Sequence, residues 1–375
     1  MRDIEHIRGI IEEVKPDIVM LTGDIVDGRP FKALDWDALL EVFLDITKLI
    51  VKAGALWSFT PGNHDYDGSP WSHDDLLKLY KLPGCLSKDA KTFNHTLTVG
   101  YDAVPSVKNS LRLFLFDTGG NHPDPKLRYY TVESATVNAY KYASKAGDLN
   151  VEGGSPLGTA WYHIPLPECN RLLPIAGENR LFECALRAGR VPFPFMFQPF
   201  RLLIHLLGFD RVVGSSILNS GLFQAMVDAG NIQATFFGHD HHSDAVFLKD
   251  NIYMCYGRPG AHTPPSDWEG RAGDLPFDRH SARVCEFIVG SDSDDATLLT
   301  YIHERHDPRK DLVLMTTETT RKYTEYIVEA ERARRCTFGF CMASVIVSAI
   351  TVIVVVVALL TIYGDDSETH FSIDL

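Results

Sequence analysis

The stretch KPDIVMLTGD, residues 15 to 24, is a short apolar run that ends in a glycine and an acid. A run closed in this way by Gly23 and Asp24 is typical of a buried strand that leads into a loop at the end of a sheet. The residues before it, IEHIRGIIEEV at 4 to 14, carry apolar side chains at helical spacing. The order of helix, strand and acidic loop predicts a layered α/β domain.

The same alternation continues along the chain. Residues 34 to 54 have helical periodicity and end at Gly54, a favourable cap, and ALWSFTPGNHD at 55 to 65 then runs as a second strand into a loop. Further helices are predicted at 72 to 81, 133 to 146 and 219 to 229. Further strands are predicted at 95 to 100, 111 to 117, 159 to 163, 232 to 237, 251 to 256, 283 to 288 and 296 to 302. We expect an α/β fold with a mixed sheet.

Composition narrows the class of protein. The 375 residues, 45% hydrophobic and 23% charged, are enough for one large domain or two smaller ones. The net charge of -13, without a Lys and Arg cluster in the first 300 residues, argues against nucleic acid as a partner. The seven cysteines are scattered and form no CxxC pair, which favours buried thiols in a reducing compartment, with one disulfide as the alternative.

Three short strings carry the chemistry: GD at 23 to 24, GNHD at 62 to 65 and GHDHH at 238 to 242. Each follows a predicted strand, where loops at the end of a sheet gather side chains into one crevice. Asp, Asn and His together suit divalent metals. His239 and His241 are two residues apart, so they share a face if the segment is extended, or reach neighbouring ions if it is a tight turn.

Together with WYHIP at 161 to 165, these strings resemble the calcineurin-like metallophosphoesterase superfamily. WYHIPLPE at 161 to 168, residues 219 to 246 and IYMCYGRPGAH at 252 to 262 are similar to one branch of it, the plant purple acid phosphatases of the 28 and 29 type and the related fungal cell-cycle regulator phosphatase. The resemblance covers roughly residues 5 to 305. It implies a four-layer β-sandwich flanked by helices, with two metals at its edge.

The resemblance also implies the roles of single residues. Asp24 would bridge two divalent ions, drawn from Mn, Fe, Zn or Mg. The second ion would be completed by Asn63, His163 and His239, and the first would be bound by His241. Two ions about 3.5 to 4 Å apart hold a phosphate, acidify a bound water and offset charge in an in-line displacement. His64 would protonate the leaving oxygen, and Asp65 would orient it.

The sequence departs from the family pattern in two places. Asp27 stands where purple enzymes have the tyrosine that binds ferric iron, so no purple colour is expected. The first family motif, DxH or DxG, is also missing before residue 15, and Asp3 and His6 are expected to lie on a helix surface. The first ion would then keep only Asp24 and His241. Two interpretations stay open: the protein continues upstream of Met1, or it is a variant with one well-held metal.

The C-terminal part predicts a membrane anchor. Residues 337 to 363 form 27 positions without a charge, and a bilayer core of roughly 30 Å needs about 20 helical residues. The basic ERARR at 331 to 335 precedes this segment and two acids follow it, which puts the catalytic part in the cytosol. Asn94 begins a glycosylation sequon that matters only if the domain faces a lumen.

The chain accordingly divides into four parts. Residues 1 to 304 are the expected metallophosphoesterase domain, with an apolar insertion at 190 to 209 that reads as a cover of the core, a lid or a membrane contact. A stalk at 305 to 336, the membrane helix at 337 to 363 and a tail at 364 to 375 follow.

The expected function is that of a membrane-anchored, metal-dependent phosphatase that hydrolyses phosphomonoesters, phosphoproteins among them. One alternative is a catalytically impaired tethered module that binds a metal or a phosphorylated partner. The other is a phosphodiesterase that uses the same ligands, favoured if residues 190 to 209 line the crevice.

Overall fold

The structure is a computed structural model. It describes residues 2–26, 36–66, 70–100, 110–146, 157–170, 172–178, 213–241, 243–259, 281–289, 296–304, 307–333 and 335. Asp27, the insertion at 190 to 209, the expected membrane helix at 337 to 363 and the tail at 364 to 375 lie outside these residues. Among the residues it does describe, no helix has both the length and the apolar character needed to span a bilayer.

The N-terminal region places two parallel strands beside each other. Helix α1 (Arg2–Val14) leads to β1 (Ile18–Leu21), and α2 (Trp36–Lys52) leads to β2 (Leu56–Phe59). Strand β1 pairs with β2 in register from Ile18 opposite Leu56 to Leu21 opposite Phe59. Because parallel strands end at the same edge, the GD and GNHD loops meet there. The core beneath them comes from one face of α2, at the helical spacing of Leu39, Phe43, Ile46 and Ile50.

Short helices follow β2. Helix α3 (Asn63–Tyr66) begins within the GNHD string, and α4 (His73–Leu77) continues into a 3-10 turn at Lys78–Lys81. Ser72 and Asp75 form a capping box at the start of α4. The helix expected at 72 to 81 is therefore present, but its second half is wound more tightly.

A six-stranded sheet forms the larger part of the fold. Its strands are β3 (His95–Gly100), β4 (Ser110–Leu115), β5 (Leu157–Trp161), β6 (Ala234–Phe237), β7 (Val246–Lys249) and β8 (Ile252–Tyr256), in the order β3-β4-β5-β6-β8-β7. The four central strands are parallel and the two edge strands antiparallel. Helices α5 (Ser134–Ala146) and α6 (Leu222–Ala229) contribute Tyr140 and Phe223 to the same buried core.

Strand β7 was missed by the sequence patterns. It forms a hairpin with β8 through a two-residue turn at Asp250 and Asn251, both in the left-handed region with φ of 48° and 65°. This conformation suits the twist of a tight hairpin, and Asp and Asn tolerate it better than most residues. The Asp250-Asn251 pair was the feature of the sequence that could have identified this hairpin.

A three-stranded antiparallel sheet lies at the end of the described domain, with β9 (Ser281–Val289), β10 (Ala296–Glu304) and β11 (Asp307–Met315) in the order β11-β10-β9. Strand β11 falls in the range expected as a stalk, where its charged first half hides an alternation that buries Val313 and Met315. Residues 317 to 324 are helical and belong to the same compact unit. In the second unit, the described residues 325 to 333 and 335 are helical.

Candidate metal centre

Four side chains from four different loops converge on one point. Asp24 follows β1, Asn63 follows β2, His163 follows β5 and His239 follows β6. The Nε2 atom of His163 lies 3.0 Å from Asp24 Oδ2 and 3.1 Å from Asn63 Oδ1. His239 Nδ1 lies 2.8 Å from the same Asn63 oxygen and 3.3 Å from His163 Nε2. The four atoms thus face one another in a single small cluster.

The chemistry of this cluster fits a cation. The Nδ1 of His163 donates to the Thr22 carbonyl at 2.6 Å, which leaves the Nε2 lone pair directed at two oxygen acceptors. Asp24 Oδ2 is buried and accepts no hydrogen bond within the described part of the chain. Buried acceptors without protons between them repel one another unless a positive charge joins them. Two imidazoles, one carboxylate and one amide oxygen form a donor set for a borderline divalent metal such as Zn, Mn or Fe.

The acid-base properties of the cluster point the same way. Burial lowers the pKa of His163, but the nearby Asp24 carboxylate raises it, and the net pKa lies above the ordinary value. Burial raises the pKa of Asp24, yet His163 and its neighbours lower it well below the usual range. The cluster therefore attracts positive charge, and a divalent cation would displace the proton that otherwise collects there.

Glycines bring the two acidic loops into contact. A Cβ atom on Gly62 would lie 2.3 Å from Asp24 Oδ1 and 2.4 Å from the Asp24 nitrogen. A Cβ on Gly23 would lie 2.6 Å from the Gly62 nitrogen and from His163 Nδ1, and Gly23 has a φ of 87°. Asp24 itself has a φ of 53°, an uncommon conformation for a residue other than glycine. The close approach of the two loops therefore leaves no room for a side chain at Gly23 or Gly62.

Asp65 ties the same loops together. Its carboxylate accepts hydrogen bonds from the backbone N–H groups of Gly62, Asp24, Ile25 and Val26 at 2.7 to 3.2 Å. Burial and the charge of Asp24 raise the pKa of Asp65 to about 7, and the hydrogen bonds from Gly62 and Val26 oppose this rise. Asp65 therefore positions the Asp24 loop. The sequence predicts that it orients His64 but does not predict these hydrogen bonds.

The loop after β6 is held just as firmly. His239 has a φ of 75°, and the following Asp240 accepts hydrogen bonds from the Gly214 nitrogen at 2.9 Å and from the Tyr256 hydroxyl. The ring of Tyr129 packs edge-on against the His239 ring, with centroids 4.6 Å apart. Burial and the charge of His163 hold the pKa of His239 well below its usual value, so this imidazole is neutral and ready to ligate.

The two remaining site residues lie around this cluster. The backbone nitrogen of His64 donates to Asp24 Oδ1 at 2.8 Å, and the charge of His64 lowers the pKa of both Asp24 and His239. His241 also lowers the pKa of His239. Among the described residues, however, the His, Cys, Asp and Glu side chains close enough to share one ion are Asp24, His163 and His239. The roles of His64 and His241 stay predictions.

From the sequence, Asp244 matched no ligand position and was expected either to support the ligands or to be neutral, whereas Arg258, Arg283 and Glu304 were missed. Asp244 binds Arg258 in a buried ion pair, with Asp244 Oδ2 2.5 Å from Arg258 Nη2 and 3.0 Å from Arg258 Nε. Arg258 also pairs with Glu304 on β10, and Arg283 donates to the Asp244 carbonyl at 2.6 Å. Proximity of Asp244 to GHDHH was the available signal, whereas no local pattern links it to residue 304.

Comparison with known proteins gives the same family. Residues 2 to 243 match calcineurin-like phosphoesterase. The chain is 24% identical over 294 residues to probable inactive purple acid phosphatase 29 of Arabidopsis thaliana, covering 73% of this chain and 67% of that protein. It is 26% identical over 271 residues to probable inactive purple acid phosphatase 28 of the same plant, covering 67% and 60%.

A fungal protein is also similar to the chain. Phosphatase DCR2 of Saccharomyces cerevisiae is 23% identical over 269 residues, which cover 68% of this chain and 41% of that protein. The matches confirm the branch expected from the motifs. The chain spans 41 to 67% of the length of these three relatives.

Proposed function

Because the chain belongs to the calcineurin-like phosphoesterase family, we propose that it is a metal-dependent phosphatase that hydrolyses phosphomonoesters. The observation that carries the proposal is the convergence of Asp24 Oδ2, Asn63 Oδ1, His163 Nε2 and His239 Nδ1 on one point. Family membership implies divalent metal ions, and these four residues would hold one. A divalent cation bound there supplies a Lewis acid that offsets the charge of the phosphoryl group.

The residues around the cluster supply the rest of the chemistry. In the proposed reaction, the oxygen of water forms a bond to phosphorus while the bond from phosphorus to the ester oxygen breaks. His64, in its protonated form, gives a proton to the leaving oxygen, so that an alcohol departs. The water loses a proton to solvent or to the phosphate. Asp65 keeps the loops of Asp24 and Asn63 in place throughout.

The test is hydrolysis of an aryl phosphate monoester by the full chain supplied with Mn²⁺ or Zn²⁺. We expect turnover that a chelator abolishes and that Asp24→Asn reduces at least about 100-fold, since the substitution removes a charged ligand from a buried site. His64→Asn is expected to lower turnover while metal content is unchanged. Equal activity in wild type and Asp24→Asn would rule the mechanism out.

A second candidate is a module that binds a metal or a phosphorylated partner without turnover. It is favoured by the one compact ligand cluster found among the described residues. Metal content and turnover separate the candidates: one retained ion with no hydrolysis of any ester points to the module. A phosphodiesterase remains the third candidate, and faster hydrolysis of a diester than of the matching monoester would select it.

We also propose that residues 337 to 363 anchor the protein in a membrane, with the catalytic part in the cytosol and phosphorylated molecules, not nucleic acids, as partners. The support is the length of the uncharged segment, 27 residues, and the basic run before it. Alkaline extraction of membranes tests this: the full chain is expected in the membrane pellet, and a chain that ends at residue 336 in the supernatant. Release of the full chain would contradict anchoring.

A further inference from the structure

The loop between β4 and α5 lies directly against the metal ligands. The side-chain nitrogen of Asn63 donates to Asn121 Oδ1 at 3.5 Å. Eight residues further along the chain, Tyr129 places its ring edge-on against His239. The loop therefore touches two of the four residues of the cluster, and it forms part of the wall that a substrate meets.

Hydrogen bonds hold this wall in one conformation. The His122 nitrogen donates to the Arg128 carbonyl at 2.9 Å, and the Tyr130 nitrogen donates to the Gly120 carbonyl at 3.0 Å. Ser216 Oγ donates to the Tyr129 carbonyl at 2.7 Å, which ties the loop to the segment before α6. Arg128 has a φ of 64°, a conformation that persists only where the surroundings impose it. The loop is thus a fixed part of the centre.

Arg128 adds a positive charge to this loop, beside a centre that is rich in acids. The half-buried Asp24 and the buried Asp65 and Asp240 place three acids at the centre, while a phosphomonoester brings up to two further negative charges. Arg128 is exposed, and in the described part of the chain it takes part in no ion pair. Arg128 directly precedes Tyr129, whose ring centroid lies 4.6 Å from that of His239. Arg128 therefore stands one residue from a direct contact with the cluster.

We propose that Arg128 binds the phosphate group of the substrate, and that Tyr129 is the positioning residue that fixes Arg128 beside the His239 ligand. This inference rests on the proposed function and adds a residue to it. A guanidinium presents parallel N–H donors that match two phosphate oxygens, and it keeps its charge at every relevant pH. The group it recognises is a phosphate with at least two free oxygens, which a monoester or inorganic phosphate supplies.

The experiment measures binding of inorganic phosphate to the metal-loaded full chain by titration calorimetry. Arg128→Gln is expected to weaken phosphate binding about 10- to 100-fold, since hydrogen bonds to charged groups are worth about 1.5 to 3 kcal/mol. Arg128→Lys keeps the charge and is expected to recover part of the affinity. The matched control is Lys126→Gln, which removes one positive charge from the same exposed loop and is expected to change the affinity less than about threefold.

Tyr129→Ala provides an independent measurement. It leaves Arg128 in the chain but removes the ring against His239, so phosphate binding is expected to weaken while Tyr129→Phe stays close to wild type. Metal content, measured for every variant, is expected to stay unchanged in Arg128→Gln. Loss of the metal in that variant would assign Arg128 a structural role and overturn the proposal.

The outcomes also separate this inference from the proposed function. Wild type that hydrolyses the ester, together with Arg128→Gln that binds phosphate equally well, overturns the role of Arg128 alone. Wild type that neither binds phosphate nor hydrolyses the ester overturns both.

Discussion

At the scale of single residues, Asp65 is the side chain on which the geometry of the centre most depends. Its two oxygens accept four backbone N–H groups from two loops, those of Gly62, Asp24, Ile25 and Val26. An acceptor that satisfies several buried donors at once cannot be replaced by water, because the site is buried. The position of Asp24 therefore depends on a residue outside the group of four clustered side chains.

Replacement of Asp65 by Asn tests this dependence. The amide offers one oxygen and one NH₂ group, so two backbone donors would face a donor. Each unsatisfied buried group costs about 1 to 3 kcal/mol, and we expect the free energy of unfolding to fall by roughly 2 to 4 kcal/mol. Urea denaturation measures the change. Asp74→Asn, at a carboxylate 93% exposed, is the control and is expected to shift the unfolding free energy by less than about 0.5 kcal/mol.

A second residue-scale prediction concerns Gly62. A methyl group there would overlap Asp24, so Gly62→Ala is expected to lower the metal affinity at least about tenfold and to destabilise the fold. Gly54→Ala is the matched control. Gly54 has a φ of 85° but open space around its Cβ position. The Gly54→Ala variant is therefore expected to lose only about 1 kcal/mol through backbone strain. Similar metal affinities of the two variants would contradict the close approach as the reason for Gly62.

At the scale of elements, a buried ionic network joins the loop after β6 to the antiparallel sheet. Arg258, which follows β8, binds Asp244 before β7 and Glu304 at the end of β10. Lys310 Nζ, on β11, also lies 3.1 Å from Glu304 Oε1. Since Asp244 closely follows the GHDHH string, the sheet at the end of the domain helps to hold the histidine loop.

Removal of the central cation tests this connection. Arg258→Leu leaves two carboxylates without their buried partner, and we expect a loss of roughly 3 to 5 kcal/mol in the free energy of unfolding. Arg309→Leu removes the exposed partner of Glu286 in the same sheet and is expected to cost no more than about 1 kcal/mol. Equal costs would mean that the network contributes no more than a surface pair.

At the scale of the whole molecule, the centre joins distant parts of the chain. Its four clustered side chains stand at positions 24, 63, 163 and 239, and each follows a strand of one of two sheets. Separate strands therefore have to be in place before the four donor atoms can meet. A cation that binds this arrangement and not the unfolded chain stabilises the fold as a whole.

The expected result is a metal-dependent melting temperature. Free metal at about 1,000 times its dissociation constant adds about 4.1 kcal/mol of stability, so Mn²⁺ or Zn²⁺ is expected to raise the melting temperature by several degrees and a chelator to reverse the change. His239→Ala removes one donor and is expected to abolish most of the shift. An equal shift in His239→Ala would place the metal elsewhere.

The number of ions is a further prediction for the whole chain. Among the described residues Asp24, Asn63, His163 and His239 are available to one ion, whereas a second ion would rely on Asp24 and the predicted ligand His241. We expect about one ion per chain to remain after desalting, as fewer ligands mean faster loss. Elemental analysis measures this, and retention of two ions would show that further ligands complete the first site.

Much of the fold could be predicted from the sequence, because helix and strand periodicity depends on residues that are close together in the chain. The apolar runs before Asp24, Asn63, His163 and His239 identified strands, although β1 proved half-buried, and glycines marked three of the loops after them. Strands β7 and β11 were missed, since the turn at Asp250 and Asn251 and the charged start of β11 obscure their alternation.

The sequence by itself determined the family and the mixed α/β class, and it named the side chains of the candidate metal centre, because these depend on residue types next to strand ends. Only the tertiary structure decided which residues support the ligands. The four hydrogen bonds of Asp65, the Tyr129 ring against His239 and the link from Asp244 to Glu304 join positions 39 to 110 residues apart, except within the short GNHD loop. Such contacts arise when strands assemble in register, and no local pattern along the chain encodes them.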